Sequence, residues 1–242
     1  MNPILLIPAR MASTRLPNKP LAEIAGVPMI VRVWARAVAA GLGPVVVAAG
    51  EPQIVAAVEK AGGRAVLTDP DAPSGSDRIW EALGVIDPKG THDVVVNLQG
   101  DLPALDPDQL KTAVWALDKS GADIGTLAAP IADEVEETNP AVVKAVVAWD
   151  AGEKLGRALY FTRAPVPAGE GVLWHQVGLY AYRRDALESF VALPPSPLEL
   201  REKLEQLRAL EAGMRIAVAR VDATPLSVDT PADLERARKL LS

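Results

Sequence analysis

Ile4-Leu5-Leu6-Ile7-Pro8-Ala9-Arg10-Met11-Ala12-Ser13-Thr14-Arg15-Leu16-Pro17-Asn18-Lys19-Pro20-Leu21 decides how the rest of the chain is read. The apolar run 4–7 predicts a buried strand. It empties into a loop with three cations, Arg10, Arg15 and Lys19, and two hydroxyls, Ser13 and Thr14. In an open α/β sheet, ligands sit in the crevice beyond the carboxyl ends of the strands. A basic loop there suits a polyanion such as a nucleoside triphosphate. Arginine offers a planar fork of donors and lysine a compact point charge, so both kinds of phosphate contact are available. The bland alternative is a solvated basic loop. The position after a first buried strand, and the carboxylates described below, weigh against it.

Neither G-x-G-x-x-G nor G-x-x-x-x-G-K-[ST] occurs in the sequence, so dinucleotide-binding and P-loop readings lose their main support. With 242 residues, one domain is the default, and 49% hydrophobic residues suffice for a sizeable core. The net charge of −6 argues against a nucleic-acid partner. A local basic cleft in an acidic protein focuses its field on a small anion instead. The absence of cysteine excludes disulfides, thiolate metal sites and cysteine nucleophiles, and fits a reducing compartment. No apolar run reaches membrane-spanning length and no secretory signal is visible, so a cytoplasmic protein with no membrane partner is expected.

Outward from the first strand, strand-like runs at 44–49, 65–67, 93–97 and 124–128 alternate with helix-like segments at 29–40, 53–61, 77–85 and 107–119. Pro28 and Pro107 suit a first helical position, with Asp106 as a cap. Such alternation predicts an α/β fold with a mostly parallel sheet flanked by helices. Beyond Pro130 the pattern loosens. Strands are expected at 142–148, 158–161, 177–182 and 216–221, and helices at 184–191, 198–212 and from Pro231. Leu200, Leu204, Leu207 and Leu210 form one helical stripe, read as core or interface. The Pro/Gly-rich stretch 164–171 reads as an excursion from the sheet.

Asn97-Leu98-Gln99-Gly100-Asp101 follows the strand at 93–97, and Gly100 lets the backbone turn sharply beside a ligand. Asp101 would then face the same crevice as the first loop. A second carboxylate, Asp229, precedes a helix start that Thr230 and Asp233 can cap without it. Two carboxylates beside a triphosphate suggest Mg²⁺, which binds through one or two carboxylates plus phosphate oxygens. The two histidines, His92 and His175, lack metal-ligand spacing, and no serine sits on a nucleophile elbow.

The run 7–21 resembles the signature of the CMP-Kdo synthetases, cytidylyltransferases that activate 3-deoxy-manno-octulosonate (Kdo). The resemblance returns at Ser74-Gly75-Ser76-Asp77-Arg78, at 97–101, at Ala158-Leu159-Tyr160-Phe161-Thr162-Arg163-Ala164-Pro165, at Gly178-Leu179-Tyr180-Ala181-Tyr182-Arg183, at Pro195-Ser196-Pro197-Leu198-Glu199, at Leu204-Glu205-Gln206-Leu207-Arg208 and at 228–234. It implies a Rossmann-like nucleotidyltransferase fold (a nucleotide-diphospho-sugar transferase) over residues 1–242, and a homodimer whose excursion lies around 158–183. It implies transfer of CMP from CTP to the anomeric hydroxyl of Kdo, with release of pyrophosphate, for lipopolysaccharide assembly. Arg10, Lys19, Asp101 and Asp229 would be catalytic, the two aspartates holding Mg²⁺. Ala9, Arg10, Ser13, Arg15, Lys19, Ser74, Gly75, Arg78 and Gln99 would bind the nucleotide. Arg163, Gln176, Tyr180, Glu205 and Gln206 would line the sugar-acid pocket.

The chain departs from the family pattern in four places. Leu102 stands where Glu is usual, Gln176 where His is usual, and Ala49-Gly50 where Thr-Asp is usual; the stretch between Pro167 and Trp174 is short. Gln176 can hydrogen-bond but carries no positive charge. The alternatives are a cytidylyltransferase for a related sugar acid, such as 8-amino-Kdo or a nonulosonate, and a non-catalytic nucleotide-binding protein. An NAD-dependent oxidoreductase is disfavoured by the missing glycine fingerprint.

Overall fold

The computed structural model describes residues 1–13 and 15–242; Thr14 of the first loop lies outside the described residues. Two compact units emerge, one formed by Met1–Lys111 with Pro225–Ser242, the other by Thr112–Thr224.

The first unit holds β1 (Pro3–Ala9), a short hairpin of β2 (Glu23–Ile24) and β3 (Val27–Pro28), α1 (Met29–Ala39), β4 (Val45–Ala49), α2 (Pro52–Lys60), β5 (Arg64–Leu67), α3 (Gly75–Ile86) and β6 (Val94–Leu98). β1 lies between β4 and β6, with β5 outside β4, and every one of these pairings is parallel. The central strands are continuous apolar runs, as strands covered on both faces must be: Leu5, Leu6, Ile7, Val46, Val47, Val95 and Val96 are all fully buried. Helix α1 turns Met29, Ile30, Val33 and Ala37 to the core, one stripe at helical spacing. Pro28 stands just before that helix rather than at its first position.

Helix α4 (Pro107–Ser120) begins at Pro107 as expected, and Asp106 Oδ1 accepts the N–H of Asp108. The second unit holds β7 (Ile124–Pro130), α5 (Glu134–Thr138), β8 (Lys144–Trp149), β9 (Leu155–Thr162), β10 (Trp174–Arg183), α6 (Arg184–Ala192), α7 (Pro197–Glu202), α8 (Gln206–Glu211) and β11 (Ile216–Arg220). The expectation of a mostly parallel sheet is corrected here. β7 pairs parallel with β11, but β10–β7, β10–β8, β11–β9 and β8–β9 are antiparallel. For β8–β9 the cause is connection length: β8 turns back into β9 through a tight loop, which permits only an antiparallel pair, whereas a parallel pair needs a crossover.

The helix expected over 198–212 is also corrected. It breaks into α7 and α8 at Lys203, whose φ of 58° lies in the left-handed region. Leu204 and Leu207 are buried as predicted, but Leu200 is 55% exposed and leaves the stripe.

The chain then returns to the first unit as α9 (Pro231–Leu241), opened by a reciprocal Thr230–Asp233 capping box. Leu234 and Ala237 of α9 pack with Val228, Leu16, Ile24 and Met29 in one buried cluster. That cluster fixes the end of the first loop against the segment carrying Asp229. No helix of the described residues is long and apolar enough to cross a membrane.

Candidate active site

The loop after β1 forms one wall of a cleft of about 410 Å³, a size suited to a small-molecule ligand. Ala9, Arg10, Ser13, Arg15 and Lys19 line it, and Ser74, Gly75, Arg78, Gln99, Gly100 and Asp101 face them. All the residues predicted to bind the nucleotide therefore meet in one place within the first unit. They do so because β1 and β6 are adjacent parallel strands whose carboxyl ends open on the same side.

Asp101 and Asp229 come together through the backbone. The Val228 N–H donates to the Asp101 carbonyl at 2.9 Å, which ties the segment before α9 to the loop after β6. Lys19 joins the two side chains. Its Nζ donates to Asp101 Oδ2 at 2.8 Å and to Asp229 Oδ1 at 2.9 Å. Arg15 Nη2 lies 3.1 Å from the same Asp229 oxygen. Burial alone would lower the Lys19 pKa, but the two carboxylates, Asp101 foremost, outweigh it and hold the ammonium above its ordinary range. Asp229, which the helix cap does not need, has this work instead.

The facing wall is more structural than its residue types suggest. Ser74 caps α3, accepting the N–H groups of Ser76 and Asp77 and donating to Asp77 Oδ2 at 2.7 Å. Arg78 is 2% exposed. Its guanidinium donates to Thr68 Oγ1 at 2.7 Å and to the carbonyls of Asp69 and Pro70 at 2.8 and 3.1 Å. Gln99 Nε2 donates to Asn97 Oδ1 at 3.3 Å. Sequence reasoning missed Glu51, whose carboxylate accepts the Met11 N–H at 2.8 Å and so shapes the basic loop. The signal was available: Glu51 closely follows β4, at the same carboxyl edge of the sheet.

In the second unit, three of the predicted sugar residues form a chain of hydrogen bonds. Gln206 Nε2 donates to Gln176 Oε1 at 2.7 Å, and Gln176 Nε2 donates to Tyr180 Oη at 2.6 Å. Burial pushes the Tyr180 phenol well above its ordinary pKa. Glu205 stands beside Gln206 at the start of α8. Arg163 does not present an open fork. It donates to the carbonyls of Glu202, Pro140 and Lys203 at 2.9, 2.8 and 3.3 Å, and so pins the loop around it.

Residues 4–216 match the cytidylyltransferase family. The 3-deoxy-manno-octulosonate cytidylyltransferase of Parvibaculum lavamentivorans is 66% identical over 241 residues, spanning 100% of this chain and 93% of that protein. The chain belongs to the 3-deoxy-manno-octulosonate cytidylyltransferase family. The protein of that name from Paramagnetospirillum magneticum is 61% identical, covering 100% of this chain and 98% of its own. A solved structure of CMP:2-keto-3-deoxy-manno-octonic acid synthetase complexed with CTP superposes with a TM-score of 0.91 at 38% identity, over 100% of this chain and 98% of that one. A nucleotidyl transferase from Methanothermobacter thermautotrophicus, 16% identical with a TM-score of 0.63 over 98% of this chain and 96% of that one, shares the fold. The fold is thus the α/β nucleotidyltransferase fold with a mixed sheet.

Two departures from the 3-deoxy-manno-octulosonate cytidylyltransferase pattern acquire a physical setting. Leu102, in place of the usual Glu, is buried at 4% exposure and adds to the core rather than to the cleft. His175 does not stand in for Gln176, because successive strand residues point to opposite faces. Gln176 turns to Tyr180 and Gln206, while His175 Nδ1 lies 3.8 Å from Glu136 Oε2.

Proposed function

We propose that the chain transfers CMP from CTP to the anomeric hydroxyl of 3-deoxy-manno-octulosonate, giving CMP-Kdo and pyrophosphate. The observation that carries this reading is the corner where Asp101 and Asp229 share the ammonium of Lys19, at a cleft that Arg10, Ser13 and Arg15 of the same loop also line. Family membership supplies the reaction class.

Arg10, Arg15 and Lys19 take the triphosphate, with Ser13 and the backbone of Ala9 beside them. Ser74 and Gly75 set the amino end of α3 against the nucleotide, where the helix dipole favours negative charge. Arg78 and Gln99 hold the opposite wall in shape. The acceptor hydroxyl attacks the α-phosphorus and gives up its proton to solvent; the new P–O bond forms as the α–β bridging bond breaks, and pyrophosphate leaves with its electrons. The cations of the loop neutralise charge on the departing group, so the protein mostly positions and neutralises.

Mg²⁺ fits the donor set. Asp101 and Asp229 each offer a carboxylate oxygen to one shared cation, the hard oxygen ligation that this ion takes. When bound, the ion supplies charge neutralisation and Lewis-acid polarisation worth several kcal/mol. Gln176, Tyr180, Glu205 and Gln206 read the sugar acid, and Arg163 orders the loop beside them. We read residues 1–242 as one Rossmann-like nucleotidyltransferase working unit, cytoplasmic, and homodimeric through the segment around 158–183, serving lipopolysaccharide biosynthesis.

The test is purified protein with CTP, Mg²⁺ and a panel of sugar acids, followed by pyrophosphate release. Turnover of Kdo is expected. Turnover of a nonulosonate or 8-amino-Kdo but not Kdo moves the acceptor. Tight CTP binding with no release on any acceptor overturns catalysis altogether.

A further inference from the structure

Lys19 sits where a divalent ion held by Asp101 and Asp229 would have to go. Its nitrogen is 2.8 Å from one carboxylate and 2.9 Å from the other. With Arg15 also on Asp229, this corner sets two negative charges against two positive ones before any ligand enters. The Lys19 side chain is only 16% exposed, so water and salt screen its charge less than that of an ordinary surface lysine. Mg²⁺ takes carboxylate oxygens at about 2.0–2.1 Å. An ion that close to both oxygens falls within van der Waals contact of the Lys19 nitrogen, and like charges at such a separation repel strongly. Ammonium and metal therefore exclude one another from the seat.

We propose that Lys19 is a built-in placeholder for the metal, evicted by the polyphosphate of the incoming nucleotide. The ammonium moves from Asp101 and Asp229 to a phosphate, and only then are the two carboxylates open to a divalent ion. This rests on the nucleotide-and-metal reading of the cleft. Lys19 lines the same cleft as Arg10 and Ser13, so a phosphate held by the first loop lies within its reach. The exchange costs the lysine little, since one anionic partner replaces another. It costs the apo protein much of its metal affinity, because a free ion must first displace an ammonium that has nowhere better to go. Metal and nucleotide then reinforce each other's binding, and by linkage the reinforcement is reciprocal.

The discriminating measurement is Mn²⁺ binding to the nucleotide-free protein, followed by electron paramagnetic resonance of the free ion. Wild type is expected to bind Mn²⁺ weakly without CTP and strongly with it. Lys19→Gln should bind Mn²⁺ about tenfold or more tightly without nucleotide, as a repelling charge leaves the seat. Lys19→Arg, which keeps the charge, should stay near wild type. Arg15→Gln removes the more exposed cation and serves as a second variant with a smaller gain, should Lys19→Gln fail to fold. A lysine that merely clamps the aspartates in place gives the opposite sign: Lys19→Gln then binds Mn²⁺ no better than wild type, or worse, and the placeholder is overturned. If the wild-type protein with CTP holds no Mn²⁺ at all, the metal reading itself falls and this inference with it.

Discussion

Val228 donates its backbone N–H to the Asp101 carbonyl, and this one bond brings Asp229 up to Lys19 beside Asp101, which lines the cleft. The side chains are then free for charge work, because the backbone and the Val228–Leu234–Ala237 cluster hold the segment in place. Asp101→Asn and Asp229→Asn should therefore stay folded. Each should lose about 1 kcal/mol of stability or less, as partly exposed ion pairs do. Pyrophosphate release should fall by about a hundredfold or more, given the several kcal/mol at stake. Wild-type-like turnover from either variant removes that carboxylate from the mechanism.

Gly100 sets how closely the loop after β6 approaches the end of β1 and helix α1. A Cβ there would lie 3.0 Å from the Pro8 carbonyl oxygen and 3.4 Å from Ile30 Cδ1. The oxygen is backbone and cannot swing aside. Gly100→Ala should cost about 1–3 kcal/mol, the usual range for overpacking, and weaken CTP binding through a displaced cleft wall. Thermal melting and nucleotide titration on the same preparation separate the two effects; unchanged values in both would mean the loop has slack that the contacts do not show.

Arg78 is expected to behave as a wall residue. Its guanidinium is spent on Thr68, Asp69 and Pro70. Arg78→Met would take one donor from the Thr68 hydroxyl, which keeps its own bond to the Ala49 carbonyl, and would free the carbonyls of Asp69 and Pro70, at a cost of about 1–3 kcal/mol. A chemical-denaturation midpoint reads this directly. A variant that loses CTP affinity at full stability would place the guanidinium on the nucleotide instead.

The buried amide of Gln176 makes a similar test in the second unit. Gln176→Leu removes the partner of both Gln206 Nε2 and Tyr180 Oη. Leaving buried polar groups unpaired costs about 1–3 kcal/mol. Under the proposed function KM for the sugar acid should rise while CTP binding stays the same. Gln176→His, the residue usual in the family, should recover part of the loss; a CTP defect of equal size would detach this group from the acceptor.

Much of the first unit was legible because its signals are local. Val45-Val46-Val47 and Val94-Val95-Val96 can hardly be anything but buried strands, and a basic loop after such a strand has one place to go in an α/β sheet. Asp101 and Asp229 could be nominated, but not their meeting on Lys19, since no sequence pattern records a bond between Val228 and Asp101. Arg78 and Arg163 show a common limit: an arginine signals anion binding by type, but the hydrogen bonds it makes to nearby carbonyls are a tertiary fact that the sequence does not record. The second unit was less legible because most of its antiparallel pairs join strands far apart in sequence, as β7 with β10 and β9 with β11, and the break at Lys203 lies inside an unbroken helical leucine pattern. Lys144, wholly buried with its ammonium on the carbonyls of Asn139 and Val142, gave no warning at all.

Stability should fall with acid in two separate stages. His175 is the first. Burial, aided by Lys144 and opposed by Glu136, lowers its pKa below the ordinary 6.5. Below that pH the unfolded chain takes up a proton that the folded one refuses, so stability declines as pH falls from about 6.5 and levels off only once the folded value is reached. Glu199 and Asp233 make the second stage. Burial works against their ionisation, but Arg208 and the Ser196 N–H outweigh it for Glu199, and Thr230, Arg236 and cap N–H groups do so for Asp233. Both pKa values sit below their ordinary 4.5 and 3.8, so their stabilisation is present above those values and is lost as pH falls through the folded ones. Melting temperature against pH should be nearly flat just above neutrality, slope downward below 6.5 and steepen below 4.5. His175→Asn should flatten the first slope and leave the second, whereas Glu199→Gln should blunt the second alone. A first slope that survives loss of the imidazole would assign it to another group.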